Sequence, residues 1–440
     1  MAGSLLGVLL GRRGYAVTIL ESRSDMRMAD VDAGRSINLA LSSRGIYALK
    51  MAGLMDEVQQ LLIPMRGRML HLDNGETQFS SYGQRPAEVI YSVSRRDLNC
   101  LMMTAAEVAE PVNVIFNQKL DSVDFDTNEI RVTDTESGTT RSESFELLIG
   151  ADGAGSRVRR ALIPFVGGVA TSELLDHDYK ELEIPAAANG DYQIEPEALH
   201  IWPRGNYMLI ALPNQGGSFT VTLFLPKSGE PSFASLQQPA SLRLFFEKHF
   251  PDALRLIPDL ELDFYQHPQG ILGTLRCKPW YYQDKALLIG DAAHAIVPFH
   301  GQGMNASFED CSELVRLLDL HADNWSRVLP EFDTIRRPNA DAIAEMALEN
   351  YVTMRKSVAE PQFQLKKEIG FELEKRFPDR FIPRYSMVMF HETPYARAFA
   401  LGEIQNDILS QLASGKTSLS EIDFAEAERL ILERLPLELV

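Results

Sequence analysis

A chain of 440 residues is long enough for two or three lobes around a substantial core. Its 45% hydrophobic and 24% charged residues are the proportions of a soluble globular protein. Against 43 basic residues stand 61 acidic ones, and the net charge of −18 argues against nucleic acid or an anionic membrane as a partner. No uninterrupted apolar run approaches the about 18 residues that a bilayer span needs.

In chain order, Met1-Ala-Gly-Ser-Leu-Leu-Gly-Val-Leu-Leu-Gly-Arg-Arg-Gly14 reads as a crossover helix. A strand, Tyr15-Ala-Val-Thr-Ile-Leu20, follows and is closed by Glu21. An acidic residue at the end of the second strand is the usual ribose-hydroxyl acceptor of a dinucleotide fold. Such a fold opens with a strand and G-x-G-x-x-G, of which only the last glycine, Gly3, is present. Either the reading frame is truncated or mis-started, or the chain has lost its pyrophosphate loop. In both cases the central parallel strand and its loop N–H groups are expected to be missing. Met1-Ala2-Gly3 does not read as a secretory signal.

Residues 1 to about 170 alternate helix and strand, with apolar strands at 17–20, 112–116 and 147–149, a doubly wound pattern. Glu146-Leu-Leu-Ile-Gly-Ala-Asp-Gly-Ala-Gly-Ser-Arg-Val-Arg159 is a strand ending in a Gly/Asp/Gly turn, with Ser156 as a helix cap. Between about 180 and 275 the period falls to two. Ala198-Leu-His-Ile-Trp202, Tyr207-Met-Leu-Ile-Ala-Leu212 and Ser218-Phe-Thr-Val-Thr-Leu-Phe-Leu225 read as antiparallel strands.

The apolar run Ala286-Leu-Leu-Ile289 then stops at Gly290-Asp-Ala-Ala-His-Ala-Ile-Val-Pro-Phe-His-Gly-Gln-Gly-Met-Asn305, and an amphipathic segment begins at Ala306. That is a strand, a glycine-rich loop and a helix start, where free backbone N–H groups can meet a phosphate or an electron-rich ring. Asp291 is placed to accept a ribose hydroxyl. The remainder is mostly helical, clearest at 341–356 and 424–435. The division that results is 1–175 and 276–337 for a nucleotide lobe in two parts, 176–275 for a sheet lobe, and 338–440 for a helical region. Cys100, Cys277 and Cys311 fit no zinc or Cys-x-x-Cys spacing, and the nine histidines form no ligand motif, so no metal is expected. A reducing cytoplasm is the simple setting.

The paired turns at 150–156 and 290–305, in this order, resemble those of the single-component flavoprotein hydroxylases, which use FAD. The likeness narrows to the kynurenine 3-monooxygenase family on several segments. These are Gly34-Arg-Ser-Ile-Asn-Leu-Ala-Leu-Ser-Ser-Arg-Gly45, Ile63-Pro-Met-Arg-Gly-Arg-Met69, Ala198-Leu-His-Ile-Trp-Pro203, Pro298-Phe-His-Gly-Gln-Gly-Met-Asn305, Met346-Ala-Leu-Glu-Asn-Tyr-Val352 and Phe381-Ile-Pro-Arg-Tyr-Ser-Met387. The resemblance runs from Gly3 to about residue 410.

It implies an α/β fold with an FAD-binding, Rossmann-like lobe, an antiparallel substrate lobe and a C-terminal helical region. It also implies hydroxylation of L-kynurenine to 3-hydroxykynurenine with NADPH and O2 as co-substrates. No second glycine-rich fingerprint is visible, so NADPH is expected to visit transiently. Carried over by position, the substrate clamp is Arg68, Tyr82, Asn350 and Tyr385. A substrate carboxylate suits a guanidinium with hydroxyl donors. Pro298, Phe299 and His300 are implied beside the flavin and the reacting ring. Gly3, Glu21, Arg23, Ala40, Arg95, Leu120, Asp291, Met304 and Asn305 are implied at FAD. The C-terminal membrane anchor of the animal enzymes has no counterpart up to Val440, which implies a soluble, microbial-type form. A homodimer is left open. Two alternatives stay open: an FAD hydroxylase of another aromatic acid, and a flavin-free remnant.

Overall fold

The computed structural model describes residues 1–28, 38–356, 358 and 360–437, so positions 34–37 of the Gly34–Gly45 segment lie outside the described residues. The chain forms two compact units, each assembled from three stretches. Unit one comprises residues 1–62, 93–174 and 273–344; unit two comprises 63–92, 175–272 and 345–440. The four-segment division expected from sequence cuts the chain differently, since it assigns 63–92 to the nucleotide lobe. Here the hairpin formed by strands Gly67–His71 and Thr77–Ser81 joins the sheet of unit two by pairing with Ala198–Pro203.

Unit one is the parallel α/β part. Strand Val17–Leu20 pairs in parallel with Val112–Ile115, and Leu148–Gly150 pairs in parallel with Ala286–Leu288. Helix Ala2–Arg12 lies on the first pair because Gly7 and Gly11, one turn apart, leave room for it. A Cβ at Gly7 would sit 2.7 Å from Ile19, and one at Gly11 2.6 Å from Val112. The second Gly/Asp turn behaves as its sequence predicts. Ser156 Oγ accepts the Arg159 N–H at 2.9 Å, and Asp152 Oδ2 accepts the Arg157 N–H at 2.7 Å, so two side chains cap helix Arg157–Phe165.

Unit two is built on a sheet of order Gly270–Lys278, Val169–Ile184, Phe219–Pro226, Met208–Pro213, Ala198–Pro203, Gly67–His71, Thr77–Ser81. The three strands expected from sequence are all present. The sheet is mixed rather than purely antiparallel, because Ala198–Pro203 runs parallel to Gly67–His71. Every residue of Phe219–Pro226 is buried, so this central strand is covered on both faces. Helices Pro239–His249, Pro251–Leu254 and Leu260–Gln266 cover the sheet, with Phe245, Phe246, Phe250 and Phe264 packed into one core with Trp202, Phe219 and Leu223.

Pro338 is not the start of the helical region. Helix Trp325–Arg355 runs through both Pro330 and Pro338, and Asn339 Nδ2 donates to the Ile335 carbonyl at 2.8 Å close to the second proline. Helices Pro361–Arg376, Arg384–Met389, Tyr395–Ala413 and Phe424–Arg434 complete the C-terminal part. Among the described residues no helix is long and apolar enough to cross a membrane.

Candidate functional site

In unit one several of the predicted nucleotide residues lie near the start of helix Ala2–Arg12. Gly3 lies in its first turn, close enough that a Cβ there would touch Ala151 at 3.3 Å, and a Cβ on Gly290 would lie 3.6 Å from Ala2. Burial lowers the pKa of the Met1 amino group, and Glu21, Arg23 and Arg95 act on it electrostatically from nearby. Glu21 Oε1 accepts the Arg23 N–H at 2.9 Å in a tight local turn. Arg95 is exposed at the first position of helix Arg95–Val108, and Leu120 is partly exposed on strand Gln118–Asp124.

The glycine-rich loop is fixed by one side chain. Asn305, fully buried in the first turn of helix Gly303–Leu320, donates through Nδ2 to the carbonyls of Ala40 at 2.7 Å and Gly301 at 2.8 Å. Its Oδ1 accepts the Ser42 N–H at 3.0 Å. Ala40, Ser42, Gly301 and Asn305 are thereby one construction, with Met304 the residue before Asn305 on the same helix turn. Pro298, Phe299 and His300 form a single 3-10 turn, in which Phe299 and His300 are buried and Pro298 is exposed; Gly301 ends it at φ +65°. A side chain at Gly301 would be strained in this conformation and would also sit 2.9 Å from the Ala40 Cβ. Gly301→Ala should therefore cost about 1–3 kcal/mol in a urea titration and reduce flavin retention after purification.

Behind the loop lies a charged network that sequence reasoning missed. Asp310 is completely buried and accepts from the Gly290 N–H at 2.8 Å and Arg336 Nε at 2.8 Å, with His294 Nε2 at 2.6 Å. Burial alone would raise its carboxyl; His294, Arg336 and the Gly290 N–H overcome that and hold it at about 2. Arg336 Nη1 also pairs with Glu309 at 2.7 Å, and Glu309 with buried Arg44 at 2.5 Å. Asp310 thus ties the Gly290 turn to the helix that carries Asn305, while Asp291 itself stays exposed at the head of a four-residue helix. The signal was available: an aspartate sits on the buried face of an amphipathic helix, between Phe308 and Cys311.

These residues fit a flavin dinucleotide. Two helix starts, at Ala2 and Gly303, have no side-chain cap and present backbone N–H groups. Glu21 and Asp291 offer carboxylates for ribose hydroxyls, and Arg95 a cation for phosphate.

Unit two holds the predicted clamp. Arg68, on strand Gly67–His71, is 9% exposed. Tyr82, just past strand Thr77–Ser81, and Tyr385, on helix Arg384–Met389, stack with ring centroids 5.4 Å apart at 12°. The Arg68 guanidinium carbon lies 5.6 Å from the Tyr82 centroid and 5.3 Å from that of Tyr385, with both hydroxyls in hydrogen-bonding reach. Burial raises both phenols, Tyr385 well above its ordinary value, so both are neutral hydrogen-bonding groups. Among the described residues no carboxylate offsets the Arg68 charge, and its buried Nε has no hydrogen-bond partner. Asn350 lies on a separate helix, Trp325–Arg355, where its amide donates to Met354 Sδ at 3.5 Å.

One group of metal-ligand type, Glu88, Glu374 and His391, also lies in unit two. Arg85 Nη1 pairs with both of its carboxylates, and Gln84 donates to each. The pair is already satisfied by protein groups.

A family model described as FAD binding domain matches residues 1–212 and 274–347, well over half of the chain. The chain is 50% identical over 439 residues to the kynurenine 3-monooxygenase of Stenotrophomonas maltophilia (strain K279a), covering 99% of this chain and 95% of the relative. Over 435 residues it is 47% identical to the kynurenine 3-monooxygenase of Myxococcus xanthus (strain DK1622), covering 99% and 94%. Among solved structures it resembles 2-methyl-3-hydroxypyridine-5-carboxylic acid oxygenase, with a TM-score of 0.65 at 19% identity over 82% of this chain and 91% of that one. A second is p-nitrophenol 4-monooxygenase of Pseudomonas putida DLL-E4, with a TM-score of 0.64 at 17% identity over 85% and 91%. At such identities the two structures speak for the fold alone. With its FAD-binding α/β unit and its full-length likeness to these relatives, the chain belongs to the kynurenine 3-monooxygenase family of FAD-dependent monooxygenases.

Proposed function

We propose that this protein hydroxylates L-kynurenine to 3-hydroxykynurenine, consuming NADPH and O2 and releasing NADP+ and water. The observation that carries the reading is Arg68, a buried guanidinium beside two stacked tyrosines, with no carboxylate among the described residues to offset it. A buried charge without a counter-charge is costly, and an amino-acid carboxylate supplies one in a geometry that the planar guanidinium matches.

In this reading Arg68 pairs with the substrate carboxylate, the neutral hydroxyls of Tyr82 and Tyr385 donate to it, and Asn350 offers an amide to the same end of the substrate. FAD, when bound, would supply the redox chemistry and the oxygen activation, with NADPH as the reductant. Gly3, Glu21, Arg23, Ala40, Arg95, Leu120, Asp291, Met304 and Asn305 would hold it, while Pro298, Phe299 and His300 would line the reacting ring. No side chain needs to act as an acid or base on the ring, because the substrate's own amino group makes the carbon ortho to it electron-rich. The protein's tasks are to fix the ring and exclude water.

Purified protein carrying FAD should oxidise NADPH much faster with L-kynurenine than without it. Mass spectrometry should find 3-hydroxykynurenine, with some hydrogen peroxide from uncoupled turnover. A stronger response to p-hydroxybenzoate or phenol would move the assignment to a sister hydroxylase.

A further inference from the structure

Unit two holds a second cation at the strand pair that carries Arg68. Lys367, on helix Pro361–Arg376, donates through Nζ to Ser80 Oγ at 2.6 Å and to the Ser81 carbonyl, and its Nζ lies 5.3 Å from the Phe371 ring centroid. Ser80 is the residue directly opposite Arg68 in the antiparallel pair. Lys367 therefore reaches the strand pair that carries the clamp, from a helix otherwise uninvolved in it. As for Arg68, no carboxylate among the described residues offsets its charge.

We propose that Lys367 is a second, titratable member of the carboxylate site, gaining a proton when the substrate's carboxylate binds beside Arg68. The inference rests on the reading of Arg68 as the carboxylate's partner. Two neighbouring positive charges, one buried and one half-buried, repel where no counter-ion among the described residues lies between them, and one gives way. The guanidinium cannot lose its proton, whereas an ammonium can. Burial first, and then the Arg68 charge, bring Lys367 down to about 7. Its hydrogen bonds suit both forms: a neutral amine still donates to the Ser81 carbonyl and accepts from the Ser80 hydroxyl.

The neighbouring charges leave Arg68 as the group that acts on Lys367. On the same helix Lys366 is turned to Ser410 of helix Tyr395–Ala413 at 2.8 Å, Glu368 is exposed, and Glu374 pairs with Arg85. Glu421, on the Leu419–Glu421 turn packed against this helix, is held by Thr417 and Ser418. Tyr82 and Tyr385 are neutral.

A bound carboxylate would stabilise the ammonium and raise its pKa above that of the empty site. Binding is then strongest below the empty-site value and weakens as pH rises through it. With FAD-loaded protein, calorimetric titration of L-kynurenine in two buffers of different ionisation enthalpy should show uptake of about half a proton at about pH 7. The dissociation constant should rise about tenfold from about pH 6 to about pH 8.

Lys367→Met should bind more weakly at the acid end, with no uptake and a flat profile. Lys367→Arg, which keeps the charge but cannot titrate, should hold its affinity at the alkaline end and also lose the uptake. The substrate's own ammonium titrates alike in all three proteins, so the comparison removes it. Wild-type protein that takes up no proton, or a Lys367→Met protein that takes up as much as wild type, would overturn the proposal. The two readings fail separately. An unchanged constant in Arg68→Ala sinks the clamp, whereas a lost affinity in Arg68→Ala with no uptake in wild type sinks only the role of Lys367.

Discussion

Replacing Arg68 by alanine should weaken L-kynurenine binding by about 2–4 kcal/mol, roughly thirtyfold to a thousandfold, while fold and flavin content survive. The effect is large because the substrate carboxylate would lose its two-pronged, charge-assisted partner at a buried position. Fold should survive because Arg68 makes no ion pair that the sheet depends on; its neighbours are two neutral tyrosines. Removing an uncompensated buried cation relieves the empty protein, so Arg68→Ala should not lower, and could raise, the urea midpoint. Arg68→Lys should rescue only partly, since an ammonium cannot make the two-pronged contact. Tyr82→Phe should be milder, losing a hydroxyl but keeping the stack on Tyr385. The measurement is the kynurenine dissociation constant by flavin absorbance. A constant unchanged in Arg68→Ala, with flavin still bound, would place the carboxylate elsewhere.

The largest stability effect should come from Asp310. Asp310→Asn preserves shape but leaves Arg336 buried beside a neutral amide, and should cost about 3–5 kcal/mol by urea denaturation. Its carboxyl is depressed in the folded state, so its stabilising contribution is fully present above the unfolded carboxylate value of about 4. It is lost as pH falls through about 2. The variant should therefore differ most from wild type near neutrality and converge with it in acid. Because Asp310 also holds the Gly290 turn, flavin retention should fall with it. An Asp310→Asn protein as stable as wild type at neutral pH would mean that the network is not what fixes the loop.

The parts of this molecule that were legible in sequence are those where backbone geometry dictates residue type. The Gly/Asp turns at 150–156 and 290–305, the Ser156 cap and the parallel strands at 17–20 and 112–115 follow from glycine, a capping hydroxyl and apolar runs. Strand Val169–Ile184 was hidden by its charges, because Lys180 lies at a buried position. Its ammonium is satisfied by the Phe264 and His267 carbonyls, both at 2.6 Å, a partnership that no local pattern announces. The helices over the sheet, 239–266, have amphipathic phenylalanine spacing, but the alternating strands before them drew the whole stretch into one reading. Arg68, Tyr82 and Tyr385 came from resemblance, and only the stack shows why they belong together. Lys367 had no signal at all. Beside Lys366 and Glu368 it reads as part of a solvated helix face, and only the strand pair at 67–81 turns that position inward.

Each compact unit is threaded from three separated stretches, and this has a consequence for synthesis. Unit one is incomplete until residues 273–344 have been made, and unit two until 345–440 have followed. A growing chain therefore cannot finish its nucleotide unit first and then add the other, as tandem domains do. Strand Val17–Leu20 can pair with Val112–Ile115 early, but the strand pair Leu148–Gly150 and Ala286–Leu288 must wait for more than a hundred intervening residues. Long-range pairing of this kind slows folding and leaves apolar edges open in the meantime. Expression at low temperature or with abundant chaperones should thus raise the soluble yield, and excised single units should not be expected to fold as independent pieces.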